Sequence, residues 1–310
     1  MREVRSAGTV LCLASGAAFG AMAIFGKLAY DEGATVGTLL VLRFALAATF
    51  FWTLLVLGGG ARELRALRRR DVGVGLALGV CGYAAQAGCY FAALTRIDAS
   101  LLSLLLYTFP ALVAIGAVAL GREKLDGRRL SALGLALGGL VLVVVGAGTG
   151  GLDPLGVALG LGAALVYTTY VLVSDTVVGR ISPRALSALV CTGAVVSLTV
   201  GASLLGELRP GALTVAGWGW LVCLAVVSTV AAISLFFAGL RRVGPTTAST
   251  LATVEPLVTV LLAFLVFGET LGAIQVIGGA LVLAAVPTLH VRRPGRRRTA
   301  PLVPARAPVA

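Results

Sequence analysis

The sequence predicts an all-α integral membrane protein of ten transmembrane helices, arranged as two inverted five-helix repeats with both termini cytoplasmic. Three observations carry this expectation. The composition is that of a lipid-embedded chain: 58% of the 310 residues are hydrophobic and 12% charged, and the mean hydropathy is +1.01, whereas soluble domains carry about 25% charged residues. Apolar stretches long enough to cross roughly 30 Å of hydrocarbon recur along the chain with short joints between them. The sequence also matches itself at a shift of 146 residues. The composition excludes a water-soluble fold, whose core could not bury this much apolar surface. It equally excludes a disordered chain, which combines low hydrophobicity with high charge.

In order, the spans are 9–29, 35–57, 72–94, 100–120, 131–148, 155–177, 185–206, 215–239, 246–267 and 271–289. The first follows Arg2 and Arg5 but is long for a secretory leader, so it is read as an uncleaved first span. A basic cytoplasmic tail, 290–310, closes the chain. Apart from Lys27, Arg43, Arg96 and Arg209, all 25 basic residues fall before span one, in the joints after spans two, four, six and eight, or in the tail. Basic residues in short loops mark the cytoplasmic side, which places both termini inside and requires an even number of spans. The net charge of +12 and pI near 10.4 would point to nucleic acid in a soluble chain. Here they are mainly a topology signal, so no nucleic-acid partner is expected. The location expected is the cell inner (plasma) membrane, multi-pass, with lipid as the surrounding partner.

At the 146-residue shift, Gly16-Ala17-Ala18 falls on Gly162-Ala163-Ala164, and Tyr90 to Arg96 falls on Phe236 to Arg242. Ser103, Pro110, Glu123 and Leu125 fall on Ser249, Pro256, Glu269 and Leu271. The chain therefore divides into two repeats, 9–148 and 155–289, of five spans each. Five is odd, so the second copy crosses the membrane in the opposite sense. Inverted halves that meet around a site near the midplane are the architecture of many secondary transporters.

These residues also carry a family resemblance. The run Gly16 to Lys27 followed by Leu42-Arg43-Phe44, the segment Pro110 to Glu123, and Glu255-Pro256-Leu257-Val258 running to Phe267-Gly268-Glu269-Thr270-Leu271, with Gln275 and Gly278-Gly279, resemble the EamA-type members of the drug/metabolite transporter superfamily. The resemblance covers nearly the whole chain. It implies ten helices in two five-helix repeats with cytoplasmic termini, the topology that spans and charges give independently. Resembling members export amino acids, related metabolites or drugs, so transport is implied and the substrate is left open.

Glu255 lies near the middle of span nine. An ionisable side chain there costs about 2.5 to 3.5 kcal/mol and normally faces the protein interior or a wet cavity. Two readings stand: a structural carboxylate beside the Pro256 kink, or a group that handles substrate or a proton. Its repeat counterpart is Phe109, so this chemistry belongs to one half only. Arg43, deep in span two, either pairs with a carboxylate such as Glu255 or anchors its span to backbone carbonyls. Lys27, near the outer end of span one, is expected to snorkel to the interface, and Asp175 to sit at the inner one. Pro110 and Pro256, each mid-span, remove a backbone donor and free a carbonyl to face a cavity, which makes them kink and gating candidates.

Ser103, Tyr107 and Pro110 share one helix face, a pattern repeated by Ser249, Thr253 and Pro256. Tyr83, Gln86 and Tyr90 form a stripe in span three, and Tyr167 and Tyr170, with Thr168 and Thr169, one in span six. Such stripes either pack helices or line a mostly apolar pocket with sparse polar groups. Gly16/Gly20, Gly75/Gly79, Gly134/Gly138 and Gly156/Gly160 are spaced for close helix approach. The five cysteines lie within spans without C-x-x-C spacing and read as apolar fillers. With His290 as the one histidine and no Walker A sequence, no metal, cofactor, catalytic residue or ATP-driven step is expected. The reading is a secondary transporter, with export the preferred direction, moving a small metabolite such as an amino acid or drug-like compound by alternating access. A proton or another ion is the candidate coupling partner. The alternatives are an integral-membrane enzyme acting on lipid and a passive channel.

Overall fold

The computed structural model describes residues 2–60, 67–122, 126–147, 153–174 and 181–290. All regular secondary structure among them is helical, as it must be where no water is available to satisfy backbone groups. The elements are α1 (Arg2–Gly20), α2 (Met22–Asp31), α3 (Val36–Leu57), α4 (Arg69–Leu94), α5 (Ala99–Leu106), α6 (Phe109–Ala119), α7 (Gly127–Gly146), α8 (Pro154–Ser174), α9 (Pro183–Leu204), α10 (Val215–Val243), α11 (Pro245–Leu251), α12 (Val254–Phe267) and α13 (Ala273–His290). Among the described residues, eight stretches are long and apolar enough to cross a membrane, the first being α1 and α2 in series from Ser6 to Asp31. Two shorter apolar helices, Val254–Phe267 and Ala273–Thr288, follow.

The helices begin where side chains satisfy first-turn N–H groups. Thr35 accepts from Thr38 N at the head of α3, and Asp126 accepts from Arg129 N at α7. Ser182 accepts from Ala185 N at α9, with Pro183 in its first turn, and Thr214 accepts from Gly217 N at α10. Gly268, in the left-handed conformation at φ 69°, ends α12. The apolar faces are distributed for lipid. On α7, Ala132, Ala136, Gly139 and Val143 are buried, while Leu130, Leu137, Val141 and Val145 point outward.

The two prolines do not sit inside continuous helices as the sequence predicts. Span four is interrupted at Tyr107–Thr108, and Pro110 lies in the first turn of α6. Span nine is interrupted at Ala252–Thr253, and Pro256 lies in the first turn of α12. A first-turn residue needs no N–H partner, so the ring is tolerated there, and its constraint falls on the preceding turn. Two further irregularities have no signal in the sequence. Single π turns occupy Leu78–Tyr83 of α4 and Val226–Ala231 of α10.

Packing follows a regular pattern. α3 packs on α9 and α7 on α13; α1 and α2 pack on α10, and α4 packs on α8; α5 packs on α12. Each pairing maps onto itself or onto another when every span is exchanged for the one five places on. Close approach is paid for in glycine at Gly139 and Gly278, where an added Cβ on either would lie 2.5 or 2.6 Å from the other's carbonyl oxygen. Gly16, Gly20, Gly75, Gly79 and Gly160 also abut neighbouring helices, and Gly156 abuts the α4–α5 joint at Arg96 and Ile97, but Gly134 and Gly138 face open space, so that pair is not a packing motif. Arg62, Arg65, Glu123, Lys124, Leu125, Asp175, Arg180 and the tail beyond His290 lie outside the described residues.

Candidate functional site

The two interrupted spans meet at their breaks. Proline at position 256 leaves the Ala252 carbonyl without its normal helical donor. That oxygen does not open onto a cavity, as the sequence predicts. It accepts a hydrogen bond from the Tyr107 hydroxyl, at the break of the other span, and a tight one from Glu255 N at 3.0 Å. Tyr107 also lies within hydrogen-bond reach of the Glu255 carboxyl. α1 closes this corner from a third side. Gly20 is so near that a Cβ there would lie 2.7 Å from Glu255 O, and Thr259 Oγ1 donates to Gly20 O at 2.9 Å.

Around Glu255 the structure gathers most of the tyrosines singled out in the sequence. Tyr83 and Tyr90 from α4, Tyr107 and Tyr167 all lie within its electrostatic reach. Edge and stacked ring contacts run continuously through Phe44, Tyr83, Tyr170, Tyr167, Phe109 and Tyr107 at centroid separations of 5.2, 5.6, 6.0, 4.6 and 5.8 Å. Tyr170 joins this chain without reaching Glu255. Gln86 is buried on α4 but belongs to neither the ring chain nor the Glu255 cluster. The side chain of Ser249 lies outside the described residues.

Arg43 is 2% exposed and pairs with neither Glu255 nor a backbone carbonyl. Its Nε donates to Thr229 Oγ1 at 2.9 Å and its Nη2 to Met22 Sδ at 3.2 Å. The guanidinium lies 5.0 and 5.3 Å from the ring centroids of Phe44 and Phe91. Thr229 belongs to the π turn of α10, and its own hydroxyl proton goes to Leu224 O at 3.1 Å, five residues back. The widened turn supplies the acceptor that Arg43 uses.

At one end of the bundle, segments far apart in the chain are laced together. Lys27 does not snorkel. Its Nζ forms an ion pair with Glu269 Oε1 at 2.6 Å, and the other contacts of Glu269 cap α5, from Ala99 N at 3.1 Å, Ser100 N at 3.0 Å and Ser100 Oγ at 2.8 Å. Burial alone would raise the Glu269 carboxyl, but these bonds from Lys27 and Ser100 hold it below the ordinary value. Nearby Asp98 is pushed up by burial and by the Glu269 charge. Thr35 and Thr38 donate to Glu207 O, Thr214 donates to Glu32, and Arg96 pairs with Asp153 at 2.9 Å. An open cavity of about 390 Å³ at this end is lined by Tyr30, Thr35, Thr95, Glu207 and Arg209 among others. A smaller apolar one of about 140 Å³ lies among α6, α7 and α8. Neither contains Glu255 or Arg43.

The profile of the EamA-like transporter family matches residues 6–145 and 154–289. The chain belongs to that family. As an EamA-like protein it is a multi-pass membrane transporter. Its relatives include the uncharacterized transporter YcbK of Bacillus subtilis (strain 168), 26% identical over 93% of this chain and 94% of that one. An uncharacterized transporter of Archaeoglobus fulgidus is 31% identical over 64% of this chain and 69% of its own. The threonine/homoserine exporter RhtA of Escherichia coli (strain K12) is 29% identical over 51% of this chain and 53% of that one. A solved crystal structure superposes with a TM-score of 0.67, covering 93% of this chain and 99% of the other at 18% identity, and shares the fold.

For this EamA-like chain, sequence reasoning singled out Glu255, Arg43 and Tyr107 but not the residues they contact. Thr229, Met22 and Phe91 carried no signal as ligands of Arg43. Glu269 was legible only as a loop charge, although its place 146 residues after Glu123 marked it as part of the repeat.

Proposed function

We propose that the chain is a secondary transporter that exports a small metabolite, an amino acid or a drug-like compound, across the cytoplasmic membrane by alternating access. In this reading ten spans form two inverted halves, 9–148 and 155–289. The termini and the tail are cytoplasmic, and the end laced by Lys27 and Glu269 is the outer one. The pairwise exchange of helix contacts, the two interrupted spans and the two π turns support the repeat. Similarity to a threonine/homoserine exporter supports export and amino-acid cargo, and the family supports transport over a lipid enzyme.

The observation that carries the mechanism is the meeting of Glu255 and Tyr107 at the two helix breaks. Tyr107 has one hydroxyl proton, and it is donated to Ala252 O. That proton can stay directed at Ala252 O while Tyr107 accepts from a protonated Glu255, or turn to an ionised Glu255. Glu255 is then a proton carrier held by one half against the other. Cargo that takes the carboxylate displaces the proton, and the exchange couples efflux to the proton gradient. Reconstituted in proteoliposomes, the wild type is expected to show saturable threonine counterflow accelerated by an imposed pH gradient. Glu255→Gln is expected to lose the acceleration. Non-saturating flux would favour the channel, and pH-driven flux unchanged in the variant would remove Glu255 from the mechanism.

A further inference from the structure

We propose that Arg43 is the anion-recognition residue of the transport path, and that the cargo carries a carboxylate which this guanidinium binds. The inference rests on the transporter reading above and adds the class of cargo.

A buried guanidinium inside a span ordinarily finds a carboxylate or carbonyls to neutralise it. Arg43 has neither. Among the described residues no carboxylate lies within ion-pair distance, and its hydrogen bonds go to one hydroxyl and one thioether. Two aromatic faces contribute a diffuse attraction, which stabilises a cation without engaging its N–H groups. Nη1 is therefore without a hydrogen-bond partner among the described residues, and Nη2 has only sulfur, a weak acceptor. The planar fork of arginine fits a carboxylate through two parallel N–H bonds. Thr229 holds Nε and so limits how the guanidinium can turn. In the same π turn Ser228 Oγ is fully buried and also unpartnered, so a second donor without an acceptor lies one residue from the Arg43 anchor.

Placement adds the second half of the argument. Tyr83 and Tyr90 each lie within electrostatic reach of both Arg43 and Glu255. The two charges do not reach each other. Glu255 is faced by Tyr83 and Tyr90 of α4, by Tyr107 and by Tyr167 of α8, with no cation paired to it among the described residues. Arg43 is therefore a site separate from Glu255, open to the carboxylate of a cargo. One guanidinium and neighbouring hydroxyls suit a monoanion rather than a phosphate dianion.

The test compares L-threonine with its decarboxylated analogue, 1-amino-2-propanol, in counterflow by the full-length chain in proteoliposomes. The wild type is expected to prefer threonine by about tenfold or more. Arg43→Gln is expected to bring that ratio close to one, and Arg43→Lys, which keeps the charge and loses the fork, to fall between. A ratio unchanged in Arg43→Gln overturns the proposal and makes Arg43 a structural anchor. A wild type that moves carboxylate-free cations and not threonine also overturns it, while leaving the transporter reading intact. A wild type that moves no compound of either kind overturns both. A second measurement needs no variant: threonine raises the Tm of the detergent-solubilised wild type and 1-amino-2-propanol does not. Equal shifts count against a carboxylate site.

Discussion

Two charged regions of this molecule are held in opposite ways. Glu269, whose side chain is 6% exposed, accepts from Lys27, from two backbone N–H groups and from a serine hydroxyl. Arg43, more deeply buried, holds one hydroxyl and one sulfur, and Glu255 rests against tyrosines. The first arrangement saturates a carboxylate and ties α2, α5 and the α12–α13 joint into one unit. The second leaves both charges incompletely matched at the centre. A saturated charge serves structure, whereas an unsaturated one inside a membrane has capacity left for a ligand or a proton.

The contrast breaks first at Glu269. Glu269→Ala leaves Lys27 and the head of α5 without their acceptor, and removing one partner of a largely buried pair typically costs about 3 kcal/mol. Thermal unfolding in detergent is expected to show that loss; a cost under about 1 kcal/mol would reduce the lacing to a surface ion pair. The pH dependence has a defined sign. A carboxyl held below its ordinary value contributes stability at neutral pH and loses it as pH falls below that value. Wild-type Tm is therefore flat from neutrality down to the ordinary carboxylate range and drops beneath it, and Glu269→Gln removes the part of the drop due to this group.

Tyr107→Phe sharpens the middle of the comparison. It deletes the bond to Ala252 O and is expected to cost about 1 kcal/mol, together with a loss of pH-driven efflux. Unaltered coupling would make Tyr107 a packing residue. The smallest stability effect is expected at Arg43. An incompletely matched buried charge replaced by an apolar side chain of similar length is often neutral or stabilising, so Arg43→Met is expected to fold with Tm close to wild type while losing threonine transport. A cost comparable to that of Glu269→Ala would place Arg43 among the structural charges.

The spans were legible because lipid imposes length and apolarity on every crossing, and the joints because charge is excluded from it. The breaks were misplaced by two to four residues, since a proline constrains the carbonyl four residues back and not its own position. Pro256 pointed to Ala252 O, but nothing in the sequence brings Tyr107 to it across 145 residues. Lys27 looked like a snorkelling lysine because its partner lies 242 residues away. The Gly134/Gly138 spacing was accidental in a chain with 41 glycines, whereas Gly139 of α7 and Gly278 of α13 form the actual close approach. Glu255 and Arg43 were conspicuous because the membrane makes each costly. That they do not pair with each other is a property of the packing.

The central claim is that cargo and a proton exchange at Glu255. Cargo binding to the detergent-solubilised protein in weakly buffered solution, followed with a pH indicator, tests it directly. The account predicts that threonine binding to the wild type releases about one proton per chain, and that Glu255→Gln binds without release. Proton release of equal size in both proteins, or none in the wild type at saturating threonine, would contradict it.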